Sequence, residues 1–303
     1  MHKSERTGKW STELPLHLMV LPAAVLIAIF SYGPMVGLTI AFQDFNPSKG
    51  FFGSPFNNLD NFRYVLQLPD LPGILFNTVY ISMLKIVAGG IVPILFAVLL
   101  NEVRVRFFKR TVQTLVYLPH FLSWVLLGGI LIEILSPSSG IVNAVLGFFG
   151  IEPVFFLGDY RIFPYVLVAT DVWKEFGFGT IVYLAALTAV DPRLYEACVI
   201  DGGNRWKQTI HVTIPALFPV IILLLTLSLG NILNAGFDQV FNLYSPLVYR
   251  SGDVIDTAVY RMGLLDMQFG VATAVGLFKS VVSLVFISLS YFLAYRLAGY
   301  RIF

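Results

Sequence analysis

The chain has 303 residues, of which 57% are hydrophobic and 13% charged, and its mean hydropathy is +0.78. A soluble domain carries about a quarter charged residues, so a soluble globular protein is excluded. The formal net charge of +2 decides nothing by itself; the placing of the charges does.

No Asp, Glu, Lys or Arg occurs in residues 14–43, 111–132 or 212–237. Each block exceeds the roughly 20 helical residues that cross a hydrocarbon core. The sequence predicts an all-α polytopic membrane protein with six transmembrane helices. Their expected positions are 16–42, 74–100, 112–135, 162–190, 215–235 and 271–294. The runs are too long for barrel strands and do not alternate strictly. The first is longer than the h-region of a cleaved signal, about 7–15 residues, and no small-x-small pattern follows it. It is expected to stay in the membrane. The chain then divides into 1–70 (tail, first span and following loop) and 71–303. The second part is a core of five spans with a helical loop at 191–214.

The loop after the first span, "FQDFNPSKGFFGSPFNNLDNF", is full of turn formers and reads as irregular and exposed. In the second span, Asn77 can face a polar lumen or make an interhelical hydrogen bond, the commoner fate of such amides, and Lys85 can snorkel only if it lies near the span end. Glu133, near the end of the third span, is expected to reach water in the same way.

The fourth span carries Asp171, Lys174 and Glu175. Charges at mid-membrane cost roughly 2.5–3.5 kcal/mol each on insertion scales. Asp171 and Lys174 share a helix face and can neutralise each other. The "FGFG" at 176–179 should loosen the helix. Two readings stay open: a bend beside a water-filled path, or a span made of two pieces with the charges between them.

After it comes "YEACVIDGGNRWKQTIHVTIP" (195–215). Asp191 can cap a helix that has Pro192 in its first turn. The helix should end at Gly202-Gly203, and Asn204 can cap a second piece. Tyr195, Cys198 and Val199 should share one face, with Arg193 and Glu196 off it. Pro215 should set the start of the fifth span. The last long loop, 237–270, holds four aspartates and two arginines. It reads as a connector with surface helices, or as a docking surface for an outside partner. Lys279 in the sixth span, like Lys85, can snorkel only if it lies near the span end.

Lysine and arginine give the orientation. Twelve lie in the amino tail, the loops after spans two and four, and the carboxyl tail; five lie on the other side. Both termini and the 195–215 loop are therefore expected in the cytoplasm. The sequence has no G-x-x-x-x-G-K-[ST], no H-E-x-x-H and no G-x-S-x-G. His2, His17, His120 and His211 lack ligand spacing, so no metal is expected. The single cysteine, Cys198, excludes an internal disulfide framework. Energy for uphill movement would have to come from a partner or an ion gradient.

The 195–215 loop resembles the cytoplasmic motif of binding-protein-dependent ABC importer permeases: Glu-Ala-Ala, three residues, Gly, nine residues, Ile, one residue, Leu-Pro. Glu196-Ala197-Cys198, Gly202, Val212, Ile214 and Pro215 keep that spacing. Cys198, Val212 and Ile214 replace Ala, Ile and Leu. The Asp201-Gly202-Gly203-Asn204-Arg205-Trp206 run resembles the sugar branch. So does "FNNLDNFRYVL" (56–66), with Asn58 where that branch has Gly. "FNPSKGFFGSP", "FGVATAVGLFKSVVSLV" and the terminal Ile302-Phe303 resemble the oligosaccharide and polysaccharide permeases of the LplB and maltose-permease type.

The resemblance implies a type I ABC importer fold in a bacterial plasma membrane. It implies a second permease subunit, two ATP-binding subunits that hold ATP and magnesium, and an extracellular solute-binding protein. This chain would be no enzyme, bind no cofactor and contact no nucleic acid. ATPase coupling would fall to Glu196, Ala197, Asp201, Gly202, Arg205 and Pro215. For the sugar path the candidates are Trp173, Asn231, Asn234, Asp238 and Gln239, as aromatic faces and hydrogen-bonding groups. The rival readings are a gradient-driven carrier, which should have paired interrupted spans, an ABC permease for another solute, and an intramembrane enzyme using Asp171 and Glu175.

Overall fold

The computed structural model describes residues 6–298; Lys3, Arg301 and the terminal Ile302-Phe303 lie outside them. The helices are α1 (Arg6–Ile27), α2 (Gly50–Gly53), α3 (Asp60–Gln67), α4 (Leu71–Glu102), α5 (Arg106–Tyr117), α6 (Trp124–Ile134), α7 (Ile141–Phe148) and α8 (Phe163–Thr188). They continue with α9 (Pro192–Ile200), α10 (Arg205–Gln208), α11 (Ile214–Gly230), α12 (Phe237–Leu243), α13 (Tyr249–Gly252), α14 (Ile255–Tyr260) and α15 (Phe269–Ala298). Among the described residues the only extended pairing noted is a single bridge between Gln43 and Phe56. The described residues are predominantly helical, as the apolar blocks require.

Two compact units are present: residues 1–67 with 262–277, and residues 68–261 with 278–303. In the first unit, α1 continues through a π turn (Ala28–Tyr32) into a 3-10 run (Gly33–Phe42). Pro34 has no N–H to give a carbonyl one turn back, and the winding changes around it. The loop that follows is exposed yet organised. Asp44 N donates to Pro55 O at 2.9 Å, and Asn57 N to Phe42 O at 2.9 Å. Asn61 Nδ2 donates to the carbonyls of Ala41 (2.9 Å) and Gln43 (3.0 Å). Gly270 lies so close that a Cβ would meet Asn61 Nδ2 at 2.6 Å. Asn58 sits at φ 59°. Asn tolerates that left-handed position, which explains how it stands where the sugar branch has Gly.

The second unit is built on α4 and α8, which pack along each other. Two apolar clusters lie at different depths. One joins Ile81, Leu131, Phe163, Leu167, Val240 and Val254; the other joins Ala97, Tyr183, Leu187 and Leu217. Along both α4 and α8, the mid-span charges fall between them.

The structure changes several expectations. The third span is not one helix: Arg106–Phe121 and Trp124–Ile134 meet at 104°. Pro119 sits at the break, and Ser123 Oγ caps α6 by accepting from Leu126 N at 3.3 Å. The fourth expected span is not divided; α8 is continuous over 26 residues, about 39 Å. Its glycines serve close packing instead. A Cβ on Gly177 would meet Val116 O at 2.3 Å, and one on Gly179 would meet Pro93 Cγ at 3.3 Å. The fifth span starts ten residues before Pro215, in the helical run Arg205–Gly230. A π turn (Thr209–Thr213) precedes Pro215, whose ring nitrogen cannot serve a carbonyl one turn back.

Residues 237–261 form three short α-helices, in keeping with the reading of this segment as a connector with helices. Asn77 Nδ2 donates to Arg250 O and Asp253 O, both at 3.2 Å. This is the interhelical role expected of Asn77, made to backbone. Ile255 N donates to Thr78 Oγ1 at 2.9 Å, and Arg261 pairs with Asp253 at 2.5 Å. Lys279 does not snorkel; it pairs with Asp256 at 2.5 Å. Burial, and then Tyr249, pushes the Tyr244 hydroxyl up to about 12, and the Asp253 hydrogen bond raises Arg261.

Gly177→Ala should lower the thermal midpoint of the detergent-solubilised protein, through an overpacking cost of roughly 1–3 kcal/mol. Gly129→Ala, where a Cβ meets nothing within 4 Å, should leave it within a degree. Equal midpoints would show that α5 and α8 are not packed this closely.

Candidate functional site

Three charges on α8 face two different neighbours. Asp171 does not pair with Lys174 as helix spacing suggests. Its Oδ1 lies 3.1 Å from Lys85 Nζ on α4. Lys85 therefore does not snorkel. It also donates to Ala235 O at 2.8 Å and to Gln239 Oε1, so all three ammonium hydrogens are used. Gln239 is fully buried and gives its Nε2 to Leu167 O (2.7 Å) and Thr170 Oγ1 (2.8 Å). Gly236 precedes α12 at φ 88°, where a Cβ would meet Lys85 Nζ at 3.1 Å. Lys85 thus joins α4, α8 and the turn after α11 at one buried point.

One turn further along α8, Lys174 pairs with Glu175 at 2.8 Å and donates to His120 O at 3.0 Å. Glu175 also meets His120 Nδ1 at 2.7 Å, and the His120 ring stacks on Phe178 at 4.2 Å. His120 is at the break between α5 and α6. A broken helix leaves carbonyls without partners, and Lys174 supplies one.

Between α4, α8 and α11 lies a cavity of about 420 Å³. Its polar lining includes Ser82, Lys85, Asp171, Ser228, Asn231 and Asn234, and Gly89, Gly90 and Gly179 line it as well. Asn231 and Asn234, both chosen from the sequence, are here. The other three candidates are not. Trp173 is two residues from Asp171, about 200° round the helix, and is exposed outside the cavity. Asp238 is exposed on α12. Gln239 does not face an open lumen; it is a buried brace for Lys85. Lys85 and Asp171 stood out in the sequence as intramembrane charges but were not among the path candidates, and Ser82 gave no signal. A cation and an anion near the middle of separate spans were the available signal.

The second constellation is the α9–α10 corner. Asp191 accepts from Arg193 N at 2.9 Å, and Asn204 Oδ1 from Lys207 N at 2.9 Å, as the capping pattern predicts. Gly202 takes φ 75°. Gly203 closes the turn, since a Cβ there would meet Cys198 O at 2.6 Å. Glu196, Ala197, Asp201, Gly202 and Arg205 are all exposed, and so is Pro215 beyond them. Val199 does not join Tyr195 and Cys198, which are half-buried; it is exposed with Leu194, Ile200 and Trp206. Tyr195 Oη meets Thr213 Oγ1 at 3.2 Å, and Arg205 pairs with Glu102 at 2.5 Å. The corner is firmly capped and turns an apolar edge outward.

Residues 89–299 match the model of the family described as binding-protein-dependent transport system inner membrane component. The chain belongs to this family. The permease is 42% identical over 275 residues to the polygalacturonan/rhamnogalacturonan transport system permease protein YteP of Bacillus subtilis, covering 91% of this chain and 86% of that one. It is 38% identical over 282 residues to protein LplB of the same organism (93% and 87%). Its fold matches a chain of a bacterial ABC transporter involved in import of the acidic polysaccharide alginate, at TM-score 0.89 and 37% identity (97% and 99% covered). It also matches a chain of an alginate transporter in complex with a periplasmic protein holding an alginate pentasaccharide, at TM-score 0.88 and 36% identity (97% and 98%). The type I importer fold expected from the 195–215 motif is thereby shown. A gradient-driven carrier is set aside, and the one span thought interrupted on its account, the fourth, is continuous.

Lys174→Met should lower the thermal midpoint of the purified permease, because His120 O and Glu175 both lose a buried partner, at a cost of roughly 1–3 kcal/mol. An unchanged midpoint would show that the α5–α6 break holds without it.

Proposed function

We propose that this chain is one membrane-spanning subunit of an ATP-driven carbohydrate importer, that it supplies half of the translocation path, and that it is driven through the α9–α10 corner. The carrying observation is that corner: two capped helical pieces around Gly202, with Leu194, Val199, Ile200 and Trp206 bare to solvent. Apolar side chains gathered on so short a projection mark an interaction surface. The partner is a cytoplasmic ATP-binding subunit, which binds ATP and magnesium; this permease hydrolyses nothing. Glu196, Ala197 and Asp201 meet that subunit, Gly202 allows the turn, and Arg205 ties the corner to Glu102 of α4. Pro215 lies within the helical run that carries the motion into the fifth span.

The remaining parts follow from the same reading. Both termini and the corner are cytoplasmic, on the side richer in lysine and arginine, in a bacterial plasma membrane. A second permease subunit completes the path, a second ATP-binding subunit serves it, and an extracellular solute-binding protein delivers the sugar. The relatives named for polygalacturonan, rhamnogalacturonan and alginate support an oligosaccharide as cargo. The cavity lined by Asn231 and Asn234 is the stretch of path within this subunit.

ATP can shift the transporter only by binding one arrangement better than another, so the corner must hold the ATPase in both. Glu196→Lys should leave the permease inserted and bound to its partner permease. It should cut ATP-binding subunit recovered in gentle detergent at least fivefold, together with sugar-stimulated ATP hydrolysis. Native recovery and stimulation in that variant would remove Glu196 from the coupling surface.

A further inference from the structure

Arg104, Arg106, Lys109 and Arg110 crowd the start of α5. None of them forms an ion pair among the described residues. Glu102, the nearest carboxylate in sequence, is committed to Arg205, and no Asp or Glu follows it until Glu133. Cations at the start of a helix oppose its dipole, so α5 gains nothing from them by itself. Beside them Phe107, Arg110, Thr111, Thr114 and Leu115 line a groove of about 230 Å³. These positions recur at helical spacing and share one face with Arg106. The face is bare: Phe107 is 82% exposed and Leu115 65%, and Leu118 continues it.

Residues 111–132 carry no Asp, Glu, Lys or Arg, so the boundary between water and hydrocarbon crosses α5 near Arg110. From Arg110 to Leu118, about 12 Å along the axis, the bare face passes from guanidinium to hydroxyls to apolar side chains. A phospholipid has the same order: phosphate, glycerol esters, acyl chain. A soluble subunit cannot follow this face into hydrocarbon.

We infer that this groove binds an anionic phospholipid. Arg106 and Arg110 take the phosphate, which a guanidinium can meet at two oxygens at once, and an acyl chain lies along Leu115 and Leu118. Juxtamembrane basic clusters attract anionic lipid in general; the groove adds a seat for one molecule. Val116 of the same helix packs on Gly177, so a lipid that holds α5 steadies its seat on α8. The inference goes beyond the transport reading, and only the naming of the leaflet as the inner one rests on the cytoplasmic orientation.

The test places the full-length permease, as it purifies, in nanodiscs of equal parts phosphatidylglycerol and phosphatidylcholine. The lipid it keeps on transfer to gentle detergent is weighed by native mass spectrometry. The native chain should keep phosphatidylglycerol over phosphatidylcholine at least threefold. Arg106→Gln with Arg110→Gln should abolish that preference at an unchanged thermal midpoint. Arg161→Gln with Arg250→Gln removes the same charge at exposed positions elsewhere and should keep it. Thr111→Glu leaves every cation but puts a carboxylate in the groove, and should cut retained phosphatidylglycerol at least threefold. The site is overturned if the native chain shows no preference, if the preference survives loss of Arg106 and Arg110, if the control pair loses it equally, or if Thr111→Glu has no effect. Should added ATP-binding subunits strip the lipid from the native chain, the face belongs to protein and the inference falls. Labelling of Arg104→Cys, in a Cys198→Ser chain, by an impermeant maleimide outside intact cells would overturn the orientation alone, because nanodiscs offer both faces the same lipid.

Discussion

A charge near the middle of a membrane span has to find its opposite inside the protein. Lys85 lies near the middle of α4, and water cannot solvate it there at small cost. Its position is tolerable because Asp171, Ala235 O and Gln239 saturate it. That requirement places α8 beside α4 and brings the turn after α11 into contact with both; the turn takes a glycine at 236, where φ is 88° and a Cβ would crowd the ammonium at 3.1 Å. The apolar clusters on either side are ordinary packing. The ion pair between them sets the register in which they pack.

The same constraint explains why α8 carries three charges without breaking. Asp171 and Lys174 are three residues apart, and their nearness in sequence suggested a pair. Each instead turns to a different helix: Asp171 to α4, Lys174 to the kink between α5 and α6. A broken helix inside a membrane survives only where its backbone groups are served by protein. Lys174 and Glu175 serve it at His120. The charged residues of α8 are thus the counterparts of irregularities elsewhere.

This is also where the sequence stopped being readable. Apolar blocks long enough to span announced the helical class, and Asp191, Gly202 and Asn204 announced the corner almost residue by residue, because caps and left-handed turns are local chemistry. The break at Pro119–Ser123 was hidden, since no charged residue lies in residues 111–132 around it and a single proline is tolerated in many spans. The partners of Lys85 and Lys279 were hidden for a different reason. Each lies on another helix, and nothing local records which helices meet. Gln239 looked like a lumen amide because composition cannot tell a buried brace from a wall. The glycines of "FGFG" looked like weak points because propensity speaks of isolated helices, whereas here Val116 needs the space.

The two constellations are joined through α4. Its far end, Glu102, meets Arg205 of the corner, and Lys85 lies seventeen residues earlier, about 25 Å along the axis. The exposed Glu102–Arg205 pair contributes little stability, roughly 0–1 kcal/mol. Its value is geometric, because it gives α10 a second attachment besides its continuity with α11. The corner therefore cannot swing on one hinge. A displacement of α9 is passed to α8 through Asp191, to α11 through the helical run from Arg205, and to α4 through Glu102. Those are the three helices that surround the cavity. A push at the corner reaches every wall of it, and the charged layer, anchored on two of those helices, is where a change in their spacing would first be felt.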